Sequence, residues 1–247
     1  MKIPKETEVL YVIGNGFDLH HNIKSSYKDF GEYVEVKDPI FYDTIARYIH
    51  PDYLWSSFEE ELGNLDSDHI RDSIDLVPYD ANPWSDSCHH DYQYQIQNIV
   101  DDIIKCINEH LPQWVSNLQI PTKKKIDIDK QAKFLNFNYT SSLEDIYDIP
   151  RDNIKYIHNK VVNDVNNIEN PKLICGHRTI LKQPLLSRDD YESDPRYAEG
   201  NDILDEYFQK TYKDTDTVIN NNRDFFDDLS HIKEIIIIGH AISDVDM

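Results

Sequence analysis

Short apolar runs that end in glycine or polar residues divide this chain into predicted strands. The first run, residues 8–13, is followed by Gly14-Asn15-Gly16. An apolar run of this length between turn signals is typical of a strand buried on both faces of a parallel sheet. We also expect Glu234–Ile238 to be the most buried strand, because it contains four consecutive isoleucines. The remaining predicted strands are 133–137, 154–157 and 172–175.

Apolar residues at helical spacing predict a mainly helical insertion over residues 40–130. The strongest period covers 96–118, where we expect a long amphipathic helix bent near Pro112, because proline lacks the amide proton that a helix interior requires. The acidic trio 59–61 is interpreted as a solvated face, or as one carboxylate reaching a site. The predicted fold class is α/β: a Rossmann-like, mostly parallel sheet flanked by helices, with this large insertion after the first βα unit.

Composition narrows the class of protein. The chain has 247 residues, 39% of them hydrophobic, which suits one α/β domain over 1–247. A net charge of −21 repels phosphate backbones, so nucleic acid is not the expected main partner. The polar start and the short apolar runs predict neither a signal peptide nor a membrane span. Three cysteines without a Cys-x-x-Cys pair fit a reducing cytoplasm.

Polar or glycine residues stand where each predicted strand ends. In a parallel sheet these carboxyl ends meet at one edge, which is where ligands bind in open α/β sheets. Each such residue alone has a simpler explanation as a turn residue, but together they predict a site. The five ends are Gly14-Asn15-Gly16, Asn138, His158, Gly176-His177 and Gly239-His240.

Two local motifs have alternative interpretations. Gly14-Asn15-Gly16 is either a plain strand-to-helix turn or a corner that lets the backbone approach a phosphate at the start of a helix. Asp18 either anchors a ribose hydroxyl or caps the first helix. Cys88-His89-His90-Asp91 looks like part of a metal site, but no second ligand pair at zinc spacing accompanies it, so no metal is expected.

Taken together, a series of motifs in this chain resembles the phage abortive-infection family AbiH. They occur in the order found in that family and span nearly the whole chain, and as a set they are specific where each one singly is not. The resemblance implies a bacterial anti-phage protein that responds to a phage trigger. The motifs are Ile13 to Asp18, Trp55-x-x-Phe58-Glu59, Phe137 to Thr140, Ile157-His158, Gly176-His177 and Gly239 to Asp246.

The same motifs resemble, more distantly, the sirtuin-like NAD-binding fold. That likeness implies NAD as substrate or ligand, with Asn138 at the nicotinamide-side ribose or the water and His158 as the catalytic group. It implies phosphate contacts at the Gly14–Gly16 corner and adenosine contacts near the chain end. The cofactor-binding candidates are Gly14, Asn15, Gly16, Phe17, Asp18, Gly239, His240, Ser243 and Asp246.

The chain departs from the sirtuin-like pattern in three places. Asn159 stands where glycine is usual, Thr140 stands where NAD hydrolases of this type commonly have aspartate, and the Cys-x-x-Cys zinc module is missing. The missing module argues against protein deacylation.

Two functions follow from these resemblances. The first is hydrolysis of the nicotinamide–ribose bond of NAD, which would arrest growth. The second is a non-catalytic nucleotide-binding or sensing module, and a homo-oligomer is compatible with either. We also expect the native chain to continue past Met247, because a buried last strand is normally followed by a covering helix.

Overall fold

The computed structural model describes residues 8–49, 51–74, 87–162, 172–180, 185 and 195–246. Its four strands are β1 (Val9–Ile13), β2 (Lys133–Asn136), β3 (Ile154–Tyr156) and β4 (Glu234–Ile238). The α-helices are α1 (Asn15–His20), α2 (Tyr27–Lys37), α3 (Pro39–Tyr48), α4 (Pro51–Leu54), α5 (Phe58–Glu61), α6 (Ser67–Asp72), α7 (Ser87–Lys105), α8 (Leu111–Ser116), α9 (Ser142–Tyr147), α10 (Pro195–Lys210), α11 (Thr215–Asn221) and α12 (Arg223–Asp227).

The chain divides into two compact units. The first unit contains Met1–Phe30, Leu111–Ile174 and Asp214–Met247, and it holds the whole sheet. The second unit contains Gly31–His110 and Cys175–Lys213. In the part of the chain that the structure describes, no helix is long and apolar enough to cross a bilayer.

The sheet of the first unit is entirely parallel, in the order β3-β2-β1-β4. Its register aligns the four carboxyl ends, since Ile13 lies opposite both Asn136 and Ile238, and Asn136 lies opposite Tyr156. The predicted Rossmann-like α/β class is therefore confirmed. The alignment also brings the residues that follow these strands to one edge of the sheet.

Helices of the first unit cover both faces of this sheet. On one face Phe17 of α1 and Leu143 of α9 pack against Ile13 and Phe134. On the other face residues of α11 and α12, including Val218 and Phe225, pack near Leu10. Because alternate residues of a strand point to opposite faces, these two clusters use alternate positions of β1.

The prediction that β4 is the most buried strand is wrong. β4 lies at the edge of the sheet and pairs with β1 alone among the described strands. The side chains of Ile235 and Ile237 are 61% and 49% exposed, whereas Ile236 and Ile238 pack into the core. An unbroken apolar run predicts burial on both faces, but the position of a strand in the sheet decides how much of each face is covered.

The predicted strand at 172–175 is also wrong. This segment is irregular. Its hydrogen bonds include those from Ile174 N to His158 O, from Tyr139 Oη to Ile174 O and from Asn159 Nδ2 to Lys172 O, and they do not form a ladder. A β-propensity run forms a strand only where a neighbouring backbone offers a ladder of partners. The sheet therefore has four described strands and not five.

The predicted long helix is confirmed. α7 continues into a π-helical turn at Cys106–His110, directly before α8 and its Pro112. A proline in a helix removes one hydrogen bond and clashes with the preceding turn, and a wider turn accommodates it. α10 packs closely on α7: a Cβ added to Gly200 would lie 2.7 Å from side-chain atoms of Ile96 and Tyr92.

Candidate functional site

Two glycine corners meet at the carboxyl edge of the sheet in the first unit. A Cβ on Gly14 would lie 2.6 Å from Gly239 O, and a Cβ on Gly16 would lie 2.7 Å from Gly239 Cα. Gly239 itself has a φ of +68°, which L-residues rarely adopt. The glycines after β1 therefore let one backbone corner pack directly against the other.

The N–H groups of the first corner are largely used within the protein. Gly14 N donates to Ile238 O at 3.0 Å, and Gly16 N donates to Gly239 O at 2.9 Å. Phe17 N closes the first turn of α1 on Gly14 O. The plain-turn interpretation thus accounts for both glycines through their contacts with Gly239.

Asn138 connects this corner to the end of β2. Its Nδ2 donates to Gly14 O at 3.2 Å. Its backbone N–H is bonded to the side-chain oxygen of Asn136 at 3.0 Å. Because Nδ2 faces a protein acceptor, the amide oxygen is the atom that Asn138 can offer to a hydroxyl or to water.

Asp18 lies beneath the corner, fully buried. Thr140 Oγ1 and Ser142 Oγ each donate to one of its carboxylate oxygens at 2.6 Å. Burial raises the pKa of the Asp18 carboxyl, and these two hydrogen bonds act in the opposite direction. Its side chain thus ties α1 to the β2–α9 connection instead of capping the first helix, whose N-cap has no side-chain hydrogen bond.

His158 lies at the end of β3, beside the segment that carries Asn138. The rings of Phe137 and Tyr139, which flank Asn138, have centroids 5.2 and 6.3 Å from the His158 ring. His158 Nε2 lies 3.3 Å from Asp246 Oδ1. The structure therefore brings Asn138, His158 and Asp246 to the same edge.

The other predicted cofactor residues have different surroundings. Phe17 is fully buried, and its ring packs against His21 and Tyr147 in the core. The Asn15 side chain bonds to Ser25. Ser243 O accepts from Asp246 N at 3.0 Å and so closes the last turn of the described chain.

The prediction that five parallel strands end at this edge is wrong for His177, because no strand forms directly before it. His177 belongs to the second unit, where its backbone N–H bonds to Thr211 O and its carbonyl accepts from Lys213 N. The expectation rested on a strand over 172–175, which does not form. Glu59, one of the predicted acidic trio, is nearly buried in the same unit, where Lys213 Nζ lies 2.9 Å from its Oε2.

The comparisons identify the family. The family model for Bacteriophage abortive infection AbiH matches residues 10–247. The chain belongs to the AbiH family. Membership implies a role in abortive infection, a defence against bacteriophage. No curated protein and no solved structure matched the chain.

Two residues of this AbiH protein that depart from the sirtuin-like pattern have structural reasons. Asn159 has a φ of +65°, so it occupies a left-handed conformation that otherwise favours glycine and that asparagine tolerates best among the rest. Thr140 donates to Asp18, and an aspartate in its place would set two carboxylates against each other in a buried position. Both departures therefore fit this backbone.

Several contacts at the AbiH edge were not foreseen from the sequence. These are the donation of Thr140 and Ser142 to Asp18 and the pairing of Asp246 with His158. The run of hydroxyl residues after Asn138 was a sequence signal for the hydrogen bonds to Asp18. No spacing rule indicates the pairing of Asp246 with His158.

Among the described residues, no group of three or more histidine, cysteine, aspartate or glutamate side chains is arranged to hold a metal ion. Of the predicted metal-like motif, the side chains of Cys88, His89 and His90 lie outside what the structure describes.

Proposed function

We propose that this AbiH protein binds NAD at the carboxyl edge of its sheet and hydrolyses the nicotinamide–ribose bond. The observation that carries the proposal is the convergence of Asn138 and His158 at the ends of adjacent parallel strands. Open α/β sheets commonly bind ligands at this edge. The distant likeness to the sirtuin-like NAD-binding fold suggests the ligand, and loss of NAD in an infected cell fits an abortive-infection role.

The leaving group of this reaction needs little assistance from the protein. Nicotinamide departs from a cationic ring as a neutral molecule, so the carbon–nitrogen bond can break without a general acid. Water adds to the ribose carbon, the bonding pair leaves with the nicotinamide nitrogen, and one proton must be accepted. A neutral histidine can accept it. The amide oxygen of Asn138 can orient the water or a ribose hydroxyl, and His158 can take the proton.

A non-catalytic nucleotide sensor is the second candidate. The observation that favours it is that the N–H groups of Gly14 and Gly16 already donate to Ile238 O and Gly239 O, respectively. The pyrophosphate of NAD would then rely on other groups, and Thr140 stands where related hydrolases have aspartate. In this case the edge would hold a nucleotide and transmit its presence to a partner in the cytoplasm.

Nicotinamide release distinguishes the two. Purified full-length protein is incubated with NAD, with and without lysate from phage-infected cells, and nicotinamide and ADP-ribose are quantified by chromatography. We expect release from the wild type, and a loss of 100-fold or more in His158→Ala, because positioned acid–base groups contribute about 10²–10⁴-fold. His20→Ala is the matched control, since His20 is an exposed histidine of the same unit.

Three results would decide the matter differently. Release that persists in His158→Ala would contradict the role of that residue. NAD binding without release under either condition would favour the sensor. Neither binding nor release would overturn both proposals.

A further inference from the structure

Two imidazoles face one carboxylate at the edge of the sheet. Asp246 Oδ1 lies 3.3 Å from His158 Nε2, and Asp246 Oδ2 lies 3.5 Å from His240 Nε2. The exposed fractions of the side chains are 6% for each histidine and 16% for the aspartate. The carboxylate thus stands between the end of β3 and the corner that follows β4.

The protonated nitrogen of neutral His240 follows from its hydrogen bonds. His240 Nδ1 accepts the backbone N–H of Ile242 at 2.8 Å. A ring nitrogen that accepts a hydrogen bond carries no proton, so in neutral His240 the proton is on Nε2. That nitrogen lies 3.5 Å from Asp246 Oδ2, so the protonated side of the His240 ring faces a carboxylate.

An aromatic ring shields the cluster. The Phe137 ring stands edge-on to both imidazoles, with centroid distances of 5.2 Å to His158 and 4.0 Å to His240. Charge–dipole interactions are stronger beside apolar groups than in water. The two Nε2–Oδ distances exceed those of a well-formed hydrogen bond, and such contacts in enzymes commonly shorten once the substrate is bound.

The backbone that delivers His240 and Asp246 contains two residues with a positive φ. Gly239 has a φ of +68° and Ile242 a φ of +51°. Glycine adopts this left-handed conformation readily, whereas a β-branched residue there is an outlier. Backbone strain of this kind concentrates at functional sites, where the surrounding contacts maintain it.

We infer that Asp246 is the positioning residue for His158. Its Oδ1 faces Nε2 of His158 and its Oδ2 faces Nε2 of His240. The carboxylate charge between the two rings orients them and stabilises the imidazolium formed when His158 accepts a proton. The catalytic consequence rests on the proposed function. The geometric part, that Asp246 sets the tautomer and orientation of His158, does not depend on NAD hydrolysis. Asp246 was predicted as an adenosine contact, so this is a different role.

The test is Asp246→Asn, read out first by long-range ¹H–¹⁵N spectra of the histidine rings. In the wild type we expect His158 and His240 to carry their protons on Nε2. In Asp246→Asn we expect the His158 pattern to change, because an amide can donate to Nε2 where the carboxylate could only accept. Asp216→Asn is the control: it removes one exposed carboxylate of α11 in the same unit and should leave both patterns unchanged.

Kinetics provide the second readout. Removing a group that orients a functional histidine typically costs about 10–100-fold, so kcat for NAD cleavage should fall by at least 10-fold with KM within about twofold. Asp246→Glu retains a carboxylate and should keep the wild-type His158 pattern and part of the rate, which also covers the case in which Asp246→Asn fails to fold.

An unchanged His158 pattern in folded Asp246→Asn would overturn the inference, as would identical changes in Asp246→Glu and Asp246→Asn. If the wild type releases no nicotinamide, the proposed hydrolysis fails, while the ring spectra still decide the role of Asp246.

Discussion

His177 illustrates how burial determines the charge of a single residue. The ring is fully buried in the second unit; its Nδ1 accepts Thr179 N–H, and its Nε2 donates to Thr211 Oγ1, each at 3.1 Å. Burial lowers the pKa of His177 to about 4. The residue is therefore structural and neutral at physiological pH, although a histidine after a glycine had looked like part of a site.

This burial predicts acid sensitivity. The pKa of His177 is about 4 in the folded protein and about 6.5 in the unfolded chain, so the unfolded chain binds more protons between these values. Its contribution is complete above about pH 6.5 and is lost as the pH falls towards 4. From pH 7.5 to 4.5 the expected loss is about 2–3 kcal/mol. Urea unfolding of the wild type and of His177→Gln at both pH values isolates the contribution of His177 to the free energy of unfolding. If the two proteins differ in unfolding free energy by the same amount at both pH values, the prediction is contradicted.

Asn159 supports a prediction about backbone conformation. It has a φ of +65°, and its Nδ2 donates to Lys172 O at 2.7 Å. Asn159→Gly and Asn159→Ala lose the same hydrogen bond, but only alanine opposes the left-handed backbone. We expect Asn159→Ala to be less stable than Asn159→Gly by about 1 kcal/mol in denaturant unfolding. Equal stability of the two variants would refute a conformational role.

At the scale of elements, the exposed edge strand β4 shows how position decides burial. Ile236 is partly buried and packs against the core cluster of one face, whereas Ile237 is 49% exposed. The two residues have the same side chain, the same strand and adjacent positions. They therefore provide a direct comparison of the two faces.

We expect Ile236→Ala to destabilise the protein by about 2–3 kcal/mol, because partial burial places it near the lower end of the core range. Ile237→Ala should cost less than about 1 kcal/mol, since surface substitutions have small effects. Chemical denaturation of both variants measures the difference. A larger loss at Ile237 would mean that its face is covered in the native protein.

At the scale of the whole molecule, net charge is the dominant electrostatic feature. A charge of −21 destabilises a compact state through self-repulsion. The exposed ion pairs, such as Lys233 with Glu8 and Arg223 with Asp227, contribute little to stability. Screening should therefore remove more repulsion than attraction.

This balance predicts that salt stabilises the protein. Raising NaCl from 20 to 300 mM shortens the Debye length from about 20 Å to below 8 Å, and we expect the melting temperature to rise by a few degrees. Differential scanning fluorimetry at neutral pH measures the change. A melting temperature that falls with salt would show that ion pairs outweigh the excess negative charge.

Local pattern by itself determined much of this protein. Apolar runs identified the four observed strands, helical periodicity identified α7 and the disturbance at Pro112, and the residues after β2 and β3 identified Asn138 and His158 as neighbours at one edge. These features depend on residues close in sequence, and parallel pairing then aligns the strand ends.

Only the tertiary structure decided the rest. It placed β4 at the edge of the sheet and assigned His177 to the second unit. It also left 172–175 without the backbone hydrogen bonds of a strand, because strand formation and strand order depend on which distant backbones pair. The same holds for the Gly14–Gly16 corner, where both glycines pack on Gly239. It also holds for Asp246, which lies beside His158 although the two residues are far apart in sequence. Partners this far apart are brought together by the sheet, and no local spacing encodes them.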